Sequence, residues 1–170
     1  MDETGGLILV LGGARSGKSR FAERLLENYS APWHYVATAQ ALDAEMETRI
    51  DTHRARRDAR WTTHDSPHDL SATIADLPVV PALVDCLTLW LTNRMLAEAD
   101  IDAESEGLVA ALRARKAPTV VVANEVGLGI VPQTSLGRRF RDSAGVLNQK
   151  VAAAADAVHF VAAGLSMRLK

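Results

Sequence analysis

The sequence predicts an α/β protein with a mostly parallel sheet and helices on both of its faces. Residues 7–11 form a short, apolar, β-favouring run that ends at two glycines, a pattern typical of a buried strand. Comparable runs recur along the chain and alternate with segments of helical character. Strands that are separated by helices pair in parallel, and the helices then cover the faces of the sheet.

Each later element is placed by run length, residue type and spacing. The other predicted strands are residues 33–38, 79–84, 119–123, 158–162 and 167–169. The predicted helices are residues 20–28, 43–60, 67–76, 87–97, 103–115 and 134–155. In helix 43–60 we expect Asp43 to cap the first turn, and arginines follow acidic residues in the order that the helix dipole favours. A length of 170 residues suits one domain, which we expect to span residues 1–170.

Charge, cysteine content and hydropathy narrow the class of protein. The formal net charge is -2, so the chain lacks the overall positive charge that attracts nucleic acid, and we expect no nucleic-acid partner. Cys86 is the only cysteine, which excludes an intramolecular disulfide and a multi-cysteine metal site. No apolar run approaches the roughly 20 residues that span a bilayer, and the acidic start does not resemble a signal peptide. These features predict a cytoplasmic enzyme without a stable membrane span.

Residues 12–19 read GGARSGKS and satisfy the phosphate-loop pattern G-x-x-x-x-G-K-[ST] in full. Glycines let the backbone curl until successive N–H groups surround an anion, and the following helix directs its positive end at the same point. Lys18 can reach the β- and γ-phosphates, and the Ser19 hydroxyl is placed to bind Mg2+. A glycine-rich turn without a ligand is the alternative, but the strand–loop–helix context favours binding of a nucleoside triphosphate.

Polar residues follow two of the later predicted strands. Asp85 comes directly after the run 79–84 and suits the carboxylate that completes the Mg2+ shell opposite Ser19. Asn124 and Glu125 follow the run 119–123 in the same way. Ligands of parallel sheets bind in the crevice at the carboxyl ends of the strands, so we expect these side chains near the ligand. Helix capping or turn formation is the alternative explanation for them.

The predicted helix 43–60 combines a histidine with many arginines. Four side chains recur at helical spacing and are predicted to share one face: Met46, Ile50, His53 and Arg57. The other arginines of this segment are Arg49, Arg54, Arg56 and Arg60. One interpretation is a packed histidine beside a solvated basic face. The other is a neutral histidine nucleophile among guanidiniums that bind phosphate, and periodicity alone does not separate the two.

Several unusual motifs occur in an order that resembles one enzyme family nearly from end to end. They are GGARSGKS at 12–19, YVATA at 35–39, D-x-E-M-x-x-R-I-x-x-H-R at 43–54, W-x-T at 61–63, VDCLTLWLTN at 84–93, and NEVGLGIVP at 124–132 with the following L-x-R-x-FRD-x-x-G-x-x-NQ. The chain resembles the bifunctional adenosylcobinamide kinase/adenosylcobinamide-phosphate guanylyltransferases of cobalamin biosynthesis. This resemblance implies a RecA-like P-loop NTPase fold, commonly assembled as a homotrimer.

The resemblance implies two reactions. A kinase step phosphorylates the aminopropanol hydroxyl of adenosylcobinamide with a nucleoside triphosphate, for which both ATP and GTP are expected substrates. A second step transfers GMP from GTP to that phosphate through a GMP–histidine intermediate, giving adenosyl-GDP-cobinamide and pyrophosphate. The R-I-x-x-H motif of the family places the histidine at His53.

The resemblance also implies a set of binding residues. The nucleotide contacts in the phosphate loop are expected at Gly12, Gly13, Ala14, Arg15, Ser16, Gly17, Lys18 and Ser19. The remaining nucleotide contacts are expected at Ala37, Thr38, Ala39, Arg54, Ala55, Arg56, Arg57, Asp65 and Asp85, and the Mg2+ ligands at Ser19 and Asp85. Asp65 stands where the family usually has a glutamate, so this contact is carried over to a shorter acid.

Three other functions are compatible with a phosphate loop. A small-molecule kinase without guanylyl transfer is the nearest, and a covalent nucleotide on His53 distinguishes it. A GTP-dependent switch is a second, although residues 124–127 read NEVG and not the N-K-x-D expected for guanine recognition in switch GTPases. A RecA-like nucleic-acid motor is a third on fold alone, and salt-sensitive DNA binding would identify it.

Overall fold

The computed structural model describes residues 6–41, 43–55 and 57–170. The strands are β1 (Leu7–Gly12), β2 (Trp33–Ala37), β3 (Trp61–Asp65), β4 (Ala82–Asp85), β5 (Thr119–Asn124), β6 (Ala157–Ala162) and β7 (Leu165–Arg168). The helices are α1 (Lys18–Leu26), α2 (Ala44–Ala55), α3 (Leu70–Asp76), α4 (Leu87–Leu96), α5 (Ile101–Ala114) and α6 (Ser135–Ala154).

The strands form one seven-stranded sheet in the order β3-β2-β4-β5-β1-β6-β7. Every neighbouring pair is parallel except β6 and β7, which form an antiparallel hairpin. The predicted mostly parallel sheet is therefore confirmed. Since parallel strands run in one direction, their carboxyl ends lie along one edge, and the loops that follow them share that edge.

Alternating side chains of the strands belong to two hydrophobic clusters, one on each face of the sheet. On one face, Ala22 and Leu26 of α1 pack against strand residues that include Val10 and Val122. The opposite face buries a larger cluster whose helical members include Trp90 of α4 and Leu147 of α6. Helices therefore cover both faces, and the helix that follows β1 is fixed by its own apolar stripe.

The structure differs from the prediction in two ways between β2 and β4. The helix predicted at 43–60 ends at Ala55, and the residues after it include the unpredicted edge strand β3. Asp58 accepts hydrogen bonds from the backbone and side chain of Arg60, and the ring of Trp61 packs 5.2 Å from that of Trp33. The carbonyl of Arg60 also accepts from the N–H of Trp33, so residues 58–60 form a turn that leads into β3 and do not continue the helix.

The ends of other predicted elements also shift by a few residues. The helix predicted at 67–76 begins at Leu70, because the carbonyl of Pro67 accepts a hydrogen bond from Asn93 instead of joining a helix. The strand predicted at 79–84 begins only at Ala82, one residue after Pro81. Among the helices that the structure describes, none is long and apolar enough to cross a membrane.

Candidate nucleotide-binding site

The strand order places the predicted site residues along one edge of the sheet. Ala37, at the end of β2, pairs with Asp65 on one side and with Asp85 on the other. Gly12, at the end of β1, pairs with Asn124 of β5, which separates β1 from β4. The ends of β2, β3, β4 and β5 thus lie along the edge of the sheet that also carries the phosphate loop, with Asp65 on the strand farthest from that loop.

The phosphate loop joins β1 to α1 with the close backbone approach that its glycines permit. A Cβ on Gly12 would lie 2.5 Å from the carbonyl oxygen of Val161, so no larger residue fits there without a shift. Gly17 caps α1 at a φ of 93°, in the left-handed region that favours glycine. The ammonium of Lys18 donates to the carbonyl of Gly13 at 3.1 Å and therefore lies across the loop. This geometry aims the first N–H groups of α1 and one cation at the same concavity.

The β6–β7 hairpin holds the phosphate loop from outside. Its turn residues Ala163 and Gly164 have φ values of 51° and 79°, as a tight two-residue hairpin requires. The N–H of Gly164 donates to the carbonyl of Ser16 at 2.8 Å. Because the C=O and N–H of a trans peptide point in opposite directions, this bond turns the N–H of Gly17 away from the hairpin. The contact orients one of the amides expected to bind phosphate.

Asp85 is held by a tyrosine of the neighbouring strand. The hydroxyl of Tyr35 donates to Oδ2 of Asp85 at 3.0 Å. Burial raises the pKa of Tyr35 well above its ordinary value, and the charge of Asp85 acts in the same direction. The phenol therefore stays protonated near neutral pH and remains a donor to the carboxylate.

Thr38 joins the carboxyl ends of β2 and β4. Its side chain is fully buried, donates to the carbonyl of Cys86 at 2.7 Å and accepts from the Cys86 N–H at 2.8 Å. Asn93 of α4 donates to the carbonyl of Thr38 at 2.9 Å and to that of Pro67 at 3.0 Å. Thr38 and Asn93 therefore fix the loops that follow β2, β3 and β4 relative to one another.

Cys86 is a buried structural thiol, as expected for a small apolar side chain after a strand. Burial, assisted by the charge of Asp85, raises the pKa of Cys86 to about 12. A thiol with this pKa is protonated at neutral pH, so Cys86 is a poor nucleophile.

Only part of the basic segment at and beyond the end of α2 is described. Arg54, on the last turn of α2, bonds both carboxylate oxygens of Asp65 at 3.2 Å, and both side chains are more than half exposed. Arg56 and the side chain of His53 lie outside the described part of the structure, although the backbone of His53 belongs to α2.

The prediction that Arg57 shares a helical face with Met46 and Ile50 is wrong, because α2 ends at Ala55. Its guanidinium carbon instead lies 3.7 Å from the centre of the Tyr35 ring. Arg57 is thus tied to the sheet through an aromatic contact and not through the helix.

The residues predicted to bind Mg2+ offer oxygen ligands on two different elements. Ser19 lies in the first turn of α1 and Asp85 at the end of β4. Hard oxygen donors suit Mg2+, which in phosphate sites takes one or two protein ligands and completes its shell with substrate phosphates and water. Across the described residues, no three His, Cys, Asp or Glu side chains form a cluster that would hold a metal ion by themselves. The donor set fits a metal that arrives with a nucleotide.

Three residues of the site have contacts that the sequence interpretation did not assign. Tyr35 and Asn93 belong to quoted motifs and Gly164 lies outside them, but the partners of all three are distant in sequence. A signal existed for Gly164, since Ala-Gly between two short β-favouring runs is compatible with a two-residue hairpin. Tyr35 and Asn93 have no comparable local signal, because their partners follow from strand order.

Comparison with known proteins adds independent information. Two curated relatives are both called bifunctional adenosylcobalamin biosynthesis proteins: CobP of Pseudomonas aeruginosa and CobU of Salmonella typhimurium. The first is 48% identical over 166 residues, covering 95% of this chain and 96% of the relative. The second is 44% identical over 182 residues, covering 96% of this chain and 99% of the relative.

A solved structure of the RadB recombinase aligns with a TM-score of 0.54 and 14% identity over 92% of this chain and 74% of that one. This likeness shows the fold alone, which is the expected RecA-like P-loop fold. The sequence model described as cobinamide kinase / cobinamide phosphate guanyltransferase matches residues 8–169, which is nearly the whole chain. The phosphate loop, the strand-end residues and this match agree, and the chain belongs to the cobinamide kinase / cobinamide phosphate guanyltransferase family.

Proposed function

We propose that this protein phosphorylates adenosylcobinamide with a nucleoside triphosphate and then transfers GMP from GTP to the adenosylcobinamide phosphate. The proposal rests on the complete phosphate loop and on Asp85 at the same edge of the sheet, in a chain that belongs to a family of kinases and guanyltransferases. ATP and GTP are the proposed substrates, and the cytoplasm, which supplies both, is the proposed site of action. Family membership favours an enzyme over the switch or nucleic-acid motor.

In the kinase step, the phosphate loop binds the β- and γ-phosphates of the triphosphate. Lys18 places its positive charge on these oxygens, and the N–H groups at the start of α1 donate to them. A Mg2+ ion held by Ser19 and Asp85 would neutralise charge on the phosphates during transfer. The aminopropanol hydroxyl of the corrinoid forms a new O–P bond to the γ-phosphorus, loses its proton, and a nucleoside diphosphate leaves.

In the guanylyl step, we assign His53 as the nucleophile. Its neutral ring nitrogen forms a bond to the α-phosphorus of GTP while the bond to the bridging oxygen breaks and pyrophosphate leaves. A phosphate oxygen of adenosylcobinamide phosphate then attacks the same phosphorus and releases the histidine. Arg54, Arg56 and Arg57 follow His53 and would neutralise the phosphoryl oxygens. The other proposed nucleotide contacts are those of residues 12–19 and 37–39, with Asp65 and Asp85.

The guanylyl assignment is tested with GTP labelled in the α-phosphate, followed by denaturation and peptide mapping. The label is expected on the peptide that contains His53, in an acid-labile and alkali-stable bond typical of phosphorus bound to nitrogen. His53→Ala should take up no label and make no GDP-cobinamide, while corrinoid phosphorylation persists. His68→Gln is the matched control, since this described histidine bonds Gln40 and Arg94 and lacks the motif. Labelling of His53→Ala at the parental rate would place the nucleophile elsewhere.

The kinase assignment is tested with Lys18→Ala. This variant should fold normally, because Lys18 is outside the buried core, but lose at least a hundredfold in kcat/KM, about 2.7 kcal/mol at the transition state. Parental turnover by Lys18→Ala would show that the phosphate site is misplaced.

We further propose a homotrimer, and sedimentation of the active enzyme at assay concentration tests it. A fully active monomer would contradict this assembly.

A further inference from the structure

Tyr35 lies between two groups to which the proposed function assigns different tasks. It is 4% exposed and belongs to β2, on the face of the sheet that α1 covers. Its hydroxyl donates to Oδ2 of Asp85 at 3.0 Å, and the guanidinium of Arg57 lies 3.7 Å over the centre of its ring. Trp61 packs edge-on against the ring, with the two centres 6.2 Å apart. One rigid side chain thus contacts the end of β4 and the segment that follows α2.

We propose that Tyr35 is a positioning residue for both reactions, which orients the carboxylate of Asp85 through its hydroxyl and the guanidinium of Arg57 through its ring. This inference rests on the proposed function, because it takes Asp85 as a ligand of the nucleotide-bound metal and Arg57 as a contact of the nucleotide phosphates. Tyr35 itself touches neither substrate in this scheme.

The contact with Asp85 sets the direction of a metal ligand. A carboxylate at the end of a strand rotates about two side-chain bonds, and each rotation moves its oxygens by ångströms. A charge-assisted hydrogen bond from a buried phenol to Oδ2 selects one of these orientations and thereby fixes where Oδ1 points. Mg2+ demands near-ideal octahedral geometry at 2.0–2.1 Å, so it binds a pre-oriented carboxylate more tightly than a rotating one.

The contact with Arg57 fixes the position of its guanidinium. Arg57 lies beyond the end of α2, so the helix does not fix its side chain. The ring of Tyr35 supplies a flat surface on which the guanidinium stacks. Nη1 of Arg57 is buried and has no hydrogen-bond partner among the described residues. Stacking on Tyr35 is therefore the contact that holds this guanidinium among the described residues, and in the proposed function its N–H groups bind the nucleotide phosphates.

The two contacts use different parts of Tyr35, so substitutions can separate them. Tyr35→Phe removes the hydroxyl and keeps the ring for Arg57. Tyr35→Leu removes both, and Arg57→Lys keeps the charge but removes the planar stack. Tyr29→Phe is the matched control, because Tyr29 is the only other tyrosine and precedes the opposite, amino end of β2. Thermal unfolding of each variant verifies that it is folded at the assay temperature.

The role of the hydroxyl is tested by measuring Mn2+ binding to the protein in the presence of a non-hydrolysable GTP analogue. Electron paramagnetic resonance detects the free and bound Mn2+. Tyr35→Phe is expected to weaken Mn2+ binding about tenfold and to raise by a similar factor the Mg2+ concentration for half-maximal turnover. The turnover number at saturating Mg2+ should stay within about threefold of the parent, since the metal ligand itself remains. Tyr29→Phe should match the parent. Unchanged Mn2+ affinity and an unchanged Mg2+ dependence in Tyr35→Phe would overturn this half of the inference.

The role of the ring in orienting Arg57 is tested by measuring the binding of a fluorescent GTP analogue in EDTA, where no metal contributes to affinity. Tyr35→Phe should bind like the parent, whereas Arg57→Lys and Tyr35→Leu should bind about five- to tenfold more weakly. Parental binding by Arg57→Lys would overturn the role of the stack, even if Tyr35→Leu fails to fold. Neither binding assay contains a corrinoid. A parent that binds as described but never phosphorylates adenosylcobinamide would therefore refute the proposed function, whereas the effects of Tyr35 on metal and nucleotide binding would still stand.

Discussion

The hydroxyl of Thr38 is expected to contribute to stability through hydrogen bonds, and Thr38→Val isolates this contribution. Valine has nearly the same shape as threonine but lacks the hydroxyl, which here donates to the carbonyl of Cys86 and accepts from its N–H. The substitution leaves the buried N–H of Cys86 without this acceptor, whereas the carbonyl still accepts from the N–H of Trp90 at 3.2 Å.

The expected change in the free energy of unfolding follows from the unequal loss of these two hydrogen bonds. A buried donor without a partner costs about 1–3 kcal/mol, and loss of the second bond costs about 0.5–1.5 kcal/mol. Burial of a methyl group in place of a hydroxyl returns up to about 1 kcal/mol. We therefore expect Thr38→Val to lower the free energy of unfolding by about 2–3 kcal/mol. For a chain of this length, that change lowers the melting temperature by about 4–12 °C.

Urea unfolding at pH 7.5 measures the effect, and Thr38→Ser provides the matched control. Serine keeps the hydroxyl and removes one methyl group, so it should cost only about 1 kcal/mol. The urea midpoint of Thr38→Val should fall by about 1 M, given typical slopes for proteins of this size. A larger loss for Thr38→Ser than for Thr38→Val would show that packing, and not hydrogen bonding, gives Thr38 its importance.

Three shorter predictions concern other parts of the fold. Burial lowers the pKa of His34, and the nearby charges of His64 and then Arg115 act in the same direction, so the unfolded chain binds more protons than the folded one. The free energy of unfolding should therefore fall as the pH drops below about 6.5. Urea midpoints at pH 7.5 and 5.5 measure this fall, which should be smaller in His34→Gln. Arg115→Ala removes hydrogen bonds to the carbonyl of Val80 and the hydroxyl of Thr119, so it should lower the free energy of unfolding in urea by about 2–4 kcal/mol. Arg113 is exposed, and Arg113→Ala is the control that should be nearly neutral. Gly164→Ala forces a side chain to a φ of 79° and should cost about 1–2 kcal/mol in thermal unfolding, although open space surrounds the new Cβ.

The local signals of the sequence were sufficient for the elements that carry strong patterns. The strand at 7–11, the phosphate loop and the strand at 119–123 depend on apolar runs and glycine positions that need no tertiary information. The edge strand β3 was missed for a physical reason. Two of its residues, Thr62 and Thr63, are exposed, and an edge strand with little buried surface leaves no alternating apolar pattern.

The contacts within the site could not be predicted in the same way, because they depend on which strands are neighbours. Tyr35 and Asp85 are separated by 50 residues, and Thr38 and Cys86 by 48. Both contacts form because β2 pairs with β4 in a register that sets Ala37 opposite Asp85. The prediction of a helix through residue 60 likewise misplaced Arg57, which reaches Tyr35 only because the helix ends earlier.

The strand order also gives the proposed metal site its dimensions. Asp85 lies on β4, and β5 separates that strand from β1 and its phosphate loop. Neighbouring strands are about 4.8 Å apart, so the backbone at Asp85 lies about 10 Å across the sheet from the end of β1. Side chains alone would have to fill that gap for Asp85 to contact the phosphate loop directly. A Mg2+ ion with bonds of 2.0–2.1 Å, together with phosphate oxygens and water, fills it readily. A carboxylate set back by one strand can therefore hold a metal that the nucleotide brings, and an orienting residue such as Tyr35 matters more at that distance than it would for a carboxylate already in contact.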